Sequence, residues 1–311
     1  MSDQYFSDKL ESAIDHIKAH QSKSTEHGFE VLELGTGWYP VVPVALYLAG
    51  AEKVSSIDIS PLLTDFGVAE TIKKYHEWYS EGKLEELIPL VSEERLNQLL
   101  LLPEVGEMGT DPELMRLIRL ESVVGDARNT DFADKQFDLI CSNNTFEHIP
   151  KDILEPILVE FIRLLKPGGT MSHFIDMSDH FAHMDGSISI YNFLRFSKKQ
   201  WDLIDNCIQP QNRMRLRDYQ ELYERLGIDI DSTAVRAGDV KAVMSEPLHA
   251  DFLDYSIEEI AISHALVVSS SKVKTQLTTD RIGNPRTEDS LRGVTVDDVV
   301  EDYHDDLVLP N

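Results

Sequence analysis

The chain has 311 residues, 42% of them hydrophobic, which is enough to bury one large core or two ordinary ones. Its 55 acidic side chains outnumber its 29 lysines and arginines, and the net charge of −26 disfavours binding to nucleic-acid phosphates and to anionic lipid. The two cysteines, Cys141 and Cys207, exclude a framework of several disulfides and give no sign of secretion.

The first segment, residues 1–28, is polar, with Leu10, Ile14 and Ile17 at helical spacing. We expect a helix that either covers part of a ligand cleft or packs on the edge of a sheet. The segment lacks the basic start and apolar centre of a signal peptide. The longest apolar stretch, residues 39–51, is too short to cross a membrane. A cytoplasmic location is therefore predicted.

A strand, a tight turn and the start of a helix are predicted over Phe29–Val42. Gly35 and Gly37 allow a sharp turn and a close approach of a ligand to the backbone, and Pro40 suits the first turn of a helix. A dinucleotide fingerprint needs a third glycine where Pro40 stands, so a pyrophosphate is not expected here. Glu33, at the end of the strand, favours a cationic ligand instead.

Two more predicted strands also end in an acidic residue, at Asp58 and at Asp126. A fourth, Phe137–Cys141, is followed by Asn143 and Asn144. Ligands of doubly wound sheets lie outside the carboxyl ends of the strands. We therefore expect Glu33, Asp58 and Asp126 on the rim of a single crevice.

These motifs resemble the class I S-adenosylmethionine-dependent methyltransferases over residues 29–176. The segments that carry the resemblance occur in the order of that family: Glu33-Leu-Gly35-Thr-Gly37, Asp58, Gly125-Asp126-Ala127, Phe137-Asp138-Leu-Ile and Leu165-Lys166-Pro167-Gly168-Gly169. The resemblance implies an α/β fold with a Rossmann-like, seven-stranded, mostly parallel sheet and helices on both faces. It also implies S-adenosylmethionine as the cofactor. The alternative is a Rossmann-like domain without this cofactor.

The resemblance places the cofactor-binding residues at the ends of the first four strands. Asp58 accepts hydrogen bonds from the ribose hydroxyls, Asp126 accepts one from the adenine amino group, and Glu33 lies near the cationic methionine part. The full predicted set is Glu33, Gly35, Thr36, Gly37, Asp58, Ile59, Asp126, Ala127 and Asn143.

Two regions depart from a minimal fold of this kind. Residues 75–120 carry several helical apolar patterns and are predicted to be a helical insertion, whose apolar faces pack on the sheet, over the site as a lid, or against a second subunit in a homodimer. Residues 1–271 form the predicted methyltransferase domain. Residues 272–311 are predicted to be an acidic, flexible tail.

The rest of the core domain follows the same pattern. Ser60-Pro61 is predicted to open a helix, with Ser60 as its N-cap, and a crossover helix is expected over residues 150–166. Two late strands, residues 230–236 and 263–269, complete the sheet.

Polar residues follow the fourth and fifth strands, where the resemblance places the transferred methyl group. The loop after the fourth strand contains His148, and the fifth strand and its loop contain a longer polar series, His173, Asp176, Asp179, His180, His183 and Asp185. The loop after the fifth strand has three interpretations: a base or hydroxyl-recognition site, a divalent metal site, or a polar loop capped by its own hydrogen bonds. The spacing matches no standard metal motif, so no metal is assigned. His148, Asp176 and His180 are the predicted catalytic residues.

Arg213, Arg215 and Arg217 alternate in the sequence, which on an extended segment puts all three on one side. They either bind an anionic group of a substrate or pair with nearby acids such as Asp218 and Glu221, and the second interpretation is preferred.

The predicted function is methyl transfer from S-adenosylmethionine to a small molecule, with a hydroxylated or sugar-containing metabolite as the expected acceptor. An aminopropyl transferase is one alternative, although Asn143 and Asn144 stand where a polyamine site would need acids. A non-catalytic protein that binds the cofactor is the other alternative.

Overall fold

A computed structural model describes residues 1–24, 28–102, 113–205 and 210–270. Seven strands form one sheet in the order β3-β2-β1-β4-β5-β7-β6. The strands are β1 Glu30–Leu34, β2 Lys53–Asp58, β3 Leu120–Val124, β4 Phe137–Asn143, β5 Leu165–Asp176, β6 Asp229–Ala237 and β7 Ile262–Ser270. Strand β7 runs antiparallel to β5 and β6, and the pairs among β1 to β5 are parallel. The predicted fold class is confirmed.

Alternating residues of the central strands pack into two cores on opposite faces of the sheet. Val31 and Leu139 belong to one core, and Leu32 and Ile140 belong to the other. A strand that is buried on both faces reads as a continuous apolar run, as β1 and β4 do in the sequence. The sheet is therefore covered by helices on both sides.

The described residues contain eleven α-helices and four short 3₁₀ turns. The helices are α1 Asp3–Gln21, α2 Val41–Leu48, α3 Asp65–Ser80, α4 Glu93–Leu100, α5 Glu113–Leu117, α6 Lys151–Leu164, α7 Phe181–Met184, α8 Lys198–Ile204, α9 Leu216–Arg225, α10 Val240–Ser245 and α11 Ile257–Ala261. Helices α1, α2 and α3 line the first core, and α6 and α9 line the second. None of the described helices is long and apolar enough to cross a membrane.

The first helix after β2 begins later than the sequence predicted. Ser60 and Pro61 form a turn in which the Leu62 amide donates to the Ser60 carbonyl over 2.9 Å. The N-cap of α3 is Thr64, whose hydroxyl accepts from the Gly67 amide over 3.2 Å. The prediction of Ser60 as the N-cap was wrong because Thr64 offers the same capping chemistry four residues further on.

The described part of the predicted insertion packs on the first core. Leu84, Leu87 and Leu96 are buried there together with residues of α2. Arg95 of α4 donates to the carbonyls of Tyr47 and Ala51, each over 2.7 Å. Residues 103–112 of the predicted insertion, Cys207 and the predicted tail lie outside the described residues.

The three alternating arginines do not share one face. Arg217 lies within α9 and pairs with Glu259, and Arg213 donates to the carbonyls of Phe193 and Phe196. Arg215 is completely buried and donates to the carbonyls of Met177, Ile260 and Ile262. The predicted extended segment was wrong because the chain turns into a helix at Leu216. The predicted pairing with Asp218 and Glu221 is not seen among the described contacts of the three side chains, whose hydrogen-bond partners are Glu259 and backbone carbonyls.

Candidate active site

The turn between β1 and α2 requires glycine. The φ angle of Gly35 is +79°, and a Cβ at this position would lie 2.5 Å from Oγ1 of Thr145. Gly37 has a φ of +71°, its amide donates to Oδ2 of Asp58 over 3.2 Å, and the space where its Cβ would stand is open. The turn therefore has a tightly packed side, at Gly35, and an open side, at Gly37, where a ligand can approach the backbone.

Glu33 is a buried carboxylate at the end of β1. Its side chain is 2% exposed, and it accepts a hydrogen bond from Oγ1 of Thr36. The same Thr36 oxygen lies 2.5 Å from Oγ of Ser56 on β2. Burial raises the pKa of Glu33 to about 7, although the bond from Thr36 and the positive charge of Lys9 oppose this rise. A cation placed beside Glu33 stabilises its ionised form.

The carboxyl ends of β2 and β3 lie next to each other. The Gly125 amide donates to the Asp58 carbonyl over 2.9 Å. Burial raises the pKa of Asp58, although the hydrogen bond from the Gly37 amide acts to lower it. Beside it, Ile59 is 77% exposed and offers an apolar surface, and Ala127 is buried after β3.

The predicted adenine-binding residue, Asp126, has a partner in this structure. Its carboxylate accepts from Nε and Nη2 of Arg128, with a shortest distance of 2.5 Å, and these bonds lower its pKa. Both side chains are more than two-fifths exposed. Glu33, Asp58 and Asp126 thus follow three neighbouring strands at one edge of the sheet, but Asp126 is held by Arg128.

Lys9 is a residue at this edge that sequence reasoning missed. It lies on α1, and its Nζ donates to the Asn143 carbonyl at the end of β4 over 3.1 Å. Burial lowers the pKa of Lys9, while the charges of Glu33, Glu147 and Asp58 act in the opposite direction. The sequence shows only a lysine on a polar helix, and the packing of α1 brings it into the crevice.

Asn143 ends β4 beside this lysine. Its side chain is 2% exposed, and neither its amide oxygen nor its amide nitrogen has a hydrogen-bond partner among the described residues. Buried polar groups are normally satisfied. The orphaned amide therefore marks a position where a ligand can supply the missing partners.

A 3₁₀ turn, Phe146–His148, presents two ionisable side chains after β4. Glu147 is 2% exposed, and both of its carboxylate oxygens lack a partner within the described chain. Burial raises its pKa well above the usual range, and the nearby charge of Asp176 adds to the effect. Sequence reasoning noted Glu147 in this loop but gave it no role, because only the folded chain shows that it is buried without a partner.

The imidazole of His148 is fixed by a backbone carbonyl. Its Nδ1 lies 2.9 Å from the Pro210 carbonyl, which only accepts hydrogen bonds, so Nδ1 carries a proton, and in the neutral ring Nε2 keeps a lone pair. Burial lowers the pKa of His148, and the neighbouring imidazole of His180 contributes in the same direction. The ring centroids of His148 and His180 are 4.9 Å apart.

Asp176, at the end of β5, is surrounded by imidazoles. Its oxygens lie 3.4 Å from Nε2 of His180, 3.7 Å from Nε2 of His183 and 3.4 Å from Nε2 of His264. Burial opposes its ionisation, but the three imidazoles together outweigh burial and hold its pKa well below the usual range. The loop is fixed by Gln211, which accepts from the His180 amide over 2.9 Å and donates to the Ser178 carbonyl over 2.8 Å.

The polar series of the fifth strand and its loop therefore divides into two groups. His173 is completely buried inside the sheet, stacked on Phe146, with Nδ1 2.8 Å from Oγ of Ser142. Asp179 and Asp185 accept from backbone amides of their own loops. These three residues are structural. The predicted catalytic residues His148, Asp176 and His180 do lie together, and Glu147 joins them.

The amino-acid sequence of residues 104–172 matches the family model described as a methyltransferase domain. This match spans β3, β4 and the first part of β5. No curated protein sequence matches the chain.

Several solved structures have a similar fold. Geranyl diphosphate C-methyltransferase of Streptomyces coelicolor A3(2), solved with Mg²⁺, geranyl diphosphate and S-adenosyl-L-homocysteine, is 13% identical, with 82% of this chain and 79% of that one covered and a TM-score of 0.45. A TehB-like SAM-dependent methyltransferase of Corynebacterium glutamicum is 15% identical, with coverages of 83% and 87% and a TM-score of 0.41. Similarities of this size do not transfer a substrate.

The match to a methyltransferase domain over residues 104–172 and the seven-stranded, mostly parallel sheet agree with the resemblance to class I S-adenosylmethionine-dependent methyltransferases that the sequence shows. The buried Glu33, the orphaned Asn143 amide and the open side of Gly37 fit a cationic nucleoside such as S-adenosylmethionine.

Proposed function

We propose that this methyltransferase methylates a hydroxyl group of a small acceptor, with sugar-containing metabolites as the acceptor class. One observation carries the proposal. Glu147, His148, Asp176 and His180 form a polar cluster after β4 and β5, next to the end of β4 where the orphaned Asn143 lies. Carboxylates and imidazoles are suited to binding hydroxyl groups and to removing their protons.

The cofactor-binding residues in this proposal are those that the sequence suggested, with Lys9 added. Glu33, Gly35, Thr36, Gly37, Asp58, Ile59, Asp126, Ala127 and Asn143 line the carboxyl edge of β1 to β4. When bound, S-adenosylmethionine supplies a methyl group on a positively charged sulfur. Glu33 would face that positive charge, and Asp58 would accept hydrogen bonds from the ribose hydroxyls. Asp126 would accept one from the adenine amino group after its carboxylate has left Arg128. Lys9 is the cation available for the carboxylate of the methionine part.

The cluster lowers the barrier to methyl transfer by holding the acceptor oxygen and making it a better nucleophile. The neutral imidazole of His148 offers the lone pair on Nε2. Asp176 and His180 hold the acceptor, and Asp176 fixes the imidazole of His180. Such assistance accelerates transfer from a hydroxyl by ~10²- to 10⁴-fold, in addition to the gain from alignment of the reacting groups.

The net charge supports a small acceptor over a nucleic acid. Nucleic-acid-binding proteins normally carry a basic face, whereas this chain has a net charge of −26. We also propose a cytoplasmic location and a homodimer formed through the insertion, which exposes Leu101 (82%) and Ile88 (44%).

The test combines a binding measurement with a product measurement. Calorimetry should detect S-adenosylmethionine binding, and incubation with a panel of sugars and polyols should release S-adenosylhomocysteine. His148→Ala should lower kcat by ~10²- to 10⁴-fold. It should leave the cofactor Kd within about threefold, because the loss of a neutral imidazole on the acceptor side does not change the charge of the cofactor crevice. Asp58→Ala should raise that Kd, whereas Asp202→Ala, which removes an exposed acid paired with Lys198, is the control.

Two outcomes would contradict the proposal. Release of methylthioadenosine from the decarboxylated cofactor in place of S-adenosylhomocysteine would indicate aminopropyl transfer. Cofactor binding with no turnover across the whole panel would indicate a non-catalytic binding protein.

A further inference from the structure

Glu147 poses a physical problem that the fold alone does not solve. A carboxylate that is 2% exposed, with both oxygens lacking hydrogen-bond partners in the described part of the chain, is costly to bury. Lys9 acts on it electrostatically, but the Lys9 ammonium donates to the Asn143 carbonyl. Such a carboxylate is stabilised either by keeping its proton or by binding a cation.

Two imidazoles stand next to these oxygens. One ligand atom each from Glu147, His148 and His180 lies within 4.8 Å of the others. Ligands on one ion at ~2.0–2.2 Å are at most about 4.4 Å apart, so a small movement of side chains closes the site. Two imidazoles with one carboxylate are the donor set of catalytic zinc and of mononuclear iron(II), and both leave positions open for a substrate oxygen.

The surroundings of the two imidazoles match those of metal ligands. Nδ1 of His148 donates to the Pro210 carbonyl, which leaves Nε2 as the lone-pair nitrogen. Asp176 lies 3.4 Å from Nε2 of His180. Metal-binding histidines usually donate their second ring nitrogen to a carbonyl or a carboxylate, which fixes the ring and its tautomer.

We propose that Glu147, His148 and His180 bind one divalent transition-metal cation, with Zn²⁺ preferred over Mn²⁺. A hard ion such as Mg²⁺ prefers oxygen ligands and is disfavoured by the two imidazoles. The role of the site in catalysis rests on the proposed methylation of a hydroxyl. The cation would bind the acceptor oxygen at an open position and lower the pKa of that hydroxyl, whose proton would pass to solvent. With the ion bound, Nε2 of His148 would be a metal ligand instead of the proton acceptor.

A second group of three, Asp176, His180 and His183, is the competing position for the ion. We place the ion at Glu147 for two reasons. The oxygens of Asp176 already contact three imidazoles, whereas those of Glu147 form no hydrogen bond with any described side chain. In addition, His183 has a side chain that is 58% exposed, which makes it the weaker ligand position.

The test measures metal binding on the full chain after dialysis against a chelator. Calorimetric titration should give one equivalent of bound Zn²⁺, weaker binding of Mn²⁺ and no heat with Mg²⁺. Glu147→Gln, which keeps the shape of the side chain, and His148→Ala should each weaken Zn²⁺ binding by at least about 10- to 100-fold. His183→Ala should change the affinity less than about threefold. His249→Ala, which removes an imidazole from an exposed pair with Asp251, is the matched control.

Folding of each variant is checked by its thermal unfolding profile and by S-adenosylmethionine binding, which does not use these ligands. The proposal is overturned if the wild-type chain binds neither Zn²⁺ nor Mn²⁺, or if Glu147→Gln binds Zn²⁺ as tightly as the wild type. A loss in His183→Ala as large as that in His148→Ala would overturn it in favour of the Asp176 group. If methyl transfer survives chelation, the metal has no role in catalysis, but the proposed methylation is unaffected. If the chain binds the metal but shows no turnover, the metal site is supported and the proposed methylation is contradicted.

Discussion

At the scale of single residues, Glu33 couples cofactor binding to pH. Its pKa is raised to about 7 in the ligand-free protein because the carboxylate is buried. A raised pKa means that the folded state holds the proton more tightly than the unfolded chain does. The ligand-free protein therefore loses stability from this group as the pH rises from the unfolded value toward 7. A cationic ligand reverses the preference, since it favours the ionised carboxylate.

We predict that S-adenosylmethionine binding releases a proton between pH 6 and 7. As the pH rises toward 7, the cofactor Kd should fall by up to about tenfold per pH unit, and above pH 7 it should become constant. Calorimetry in two buffers of different ionisation enthalpy measures the proton directly. In Glu33→Gln the cofactor should bind more weakly and the proton release should disappear. Proton release that persists in this variant would assign it to another group.

At the scale of elements, Arg215 joins three separate parts of the chain. Its guanidinium donates to the carbonyl of Met177 after β5 and to those of Ile260 and Ile262 around the start of β7. It is completely buried, and burial lowers its pKa to about 10. No carboxylate in the described part of the chain forms a salt bridge with it at 4 Å or less, so carbonyl groups are its main partners. Its role is to fix the start of α9 against the end of the sheet that carries Asp176.

We predict that Arg215→Met lowers the free energy of unfolding by ~3–5 kcal/mol, because two buried carbonyls and a partly buried one each lose a donor at a cost of ~1–3 kcal/mol and neighbouring water recovers part of it. The matched control is Arg225→Met, which removes an exposed ion pair with Glu155 worth at most ~1 kcal/mol. Urea denaturation with a constant m-value measures both. Equal losses in the two variants would show that Arg215 has no special structural role.

At the scale of the whole molecule, two properties act together: the strong negative charge and the extra helices before β3. Because copies of this chain carry the same negative net charge, they repel each other. Any association between them must therefore come from an apolar contact. Leu101, at the end of α4, is 82% exposed and offers such a contact within the insertion.

We predict a dimer whose dissociation constant falls as the salt concentration rises, because salt screens the repulsion between two chains of net charge −26. Light scattering after size-exclusion chromatography measures the mass. Leu101→Glu should shift the protein to monomer, whereas Leu203→Glu, at a position that is 87% exposed on α8 and outside the insertion, should not. A monomer at every concentration and salt level would refute the dimer.

The sequence by itself determined the fold class of the protein. The glycine turn after β1, the acids at the ends of three strands and the apolar runs of the central strands are local features, because the conformational needs of a turn and the burial of a strand are encoded by neighbouring residues. The resemblance to known methyltransferases supplied the number of strands and their mostly parallel arrangement. The prediction that a helix starts at Ser60 was wrong, because a second residue able to cap a helix, Thr64, lies four positions further on.

The tertiary structure alone decided what surrounds each polar group. It brought Lys9 of the first helix to the end of β4, enclosed Glu147 without a hydrogen-bond partner among the described residues, and placed His173 inside the core. These outcomes depend on burial by residues that are distant in the sequence, and burial sets the pKa and the unmet hydrogen bonds of a polar side chain. The glycines and acids at the ends of the first strands could therefore be located from short motifs, whereas the surroundings of the polar residues after β4 and β5 required the packed chain.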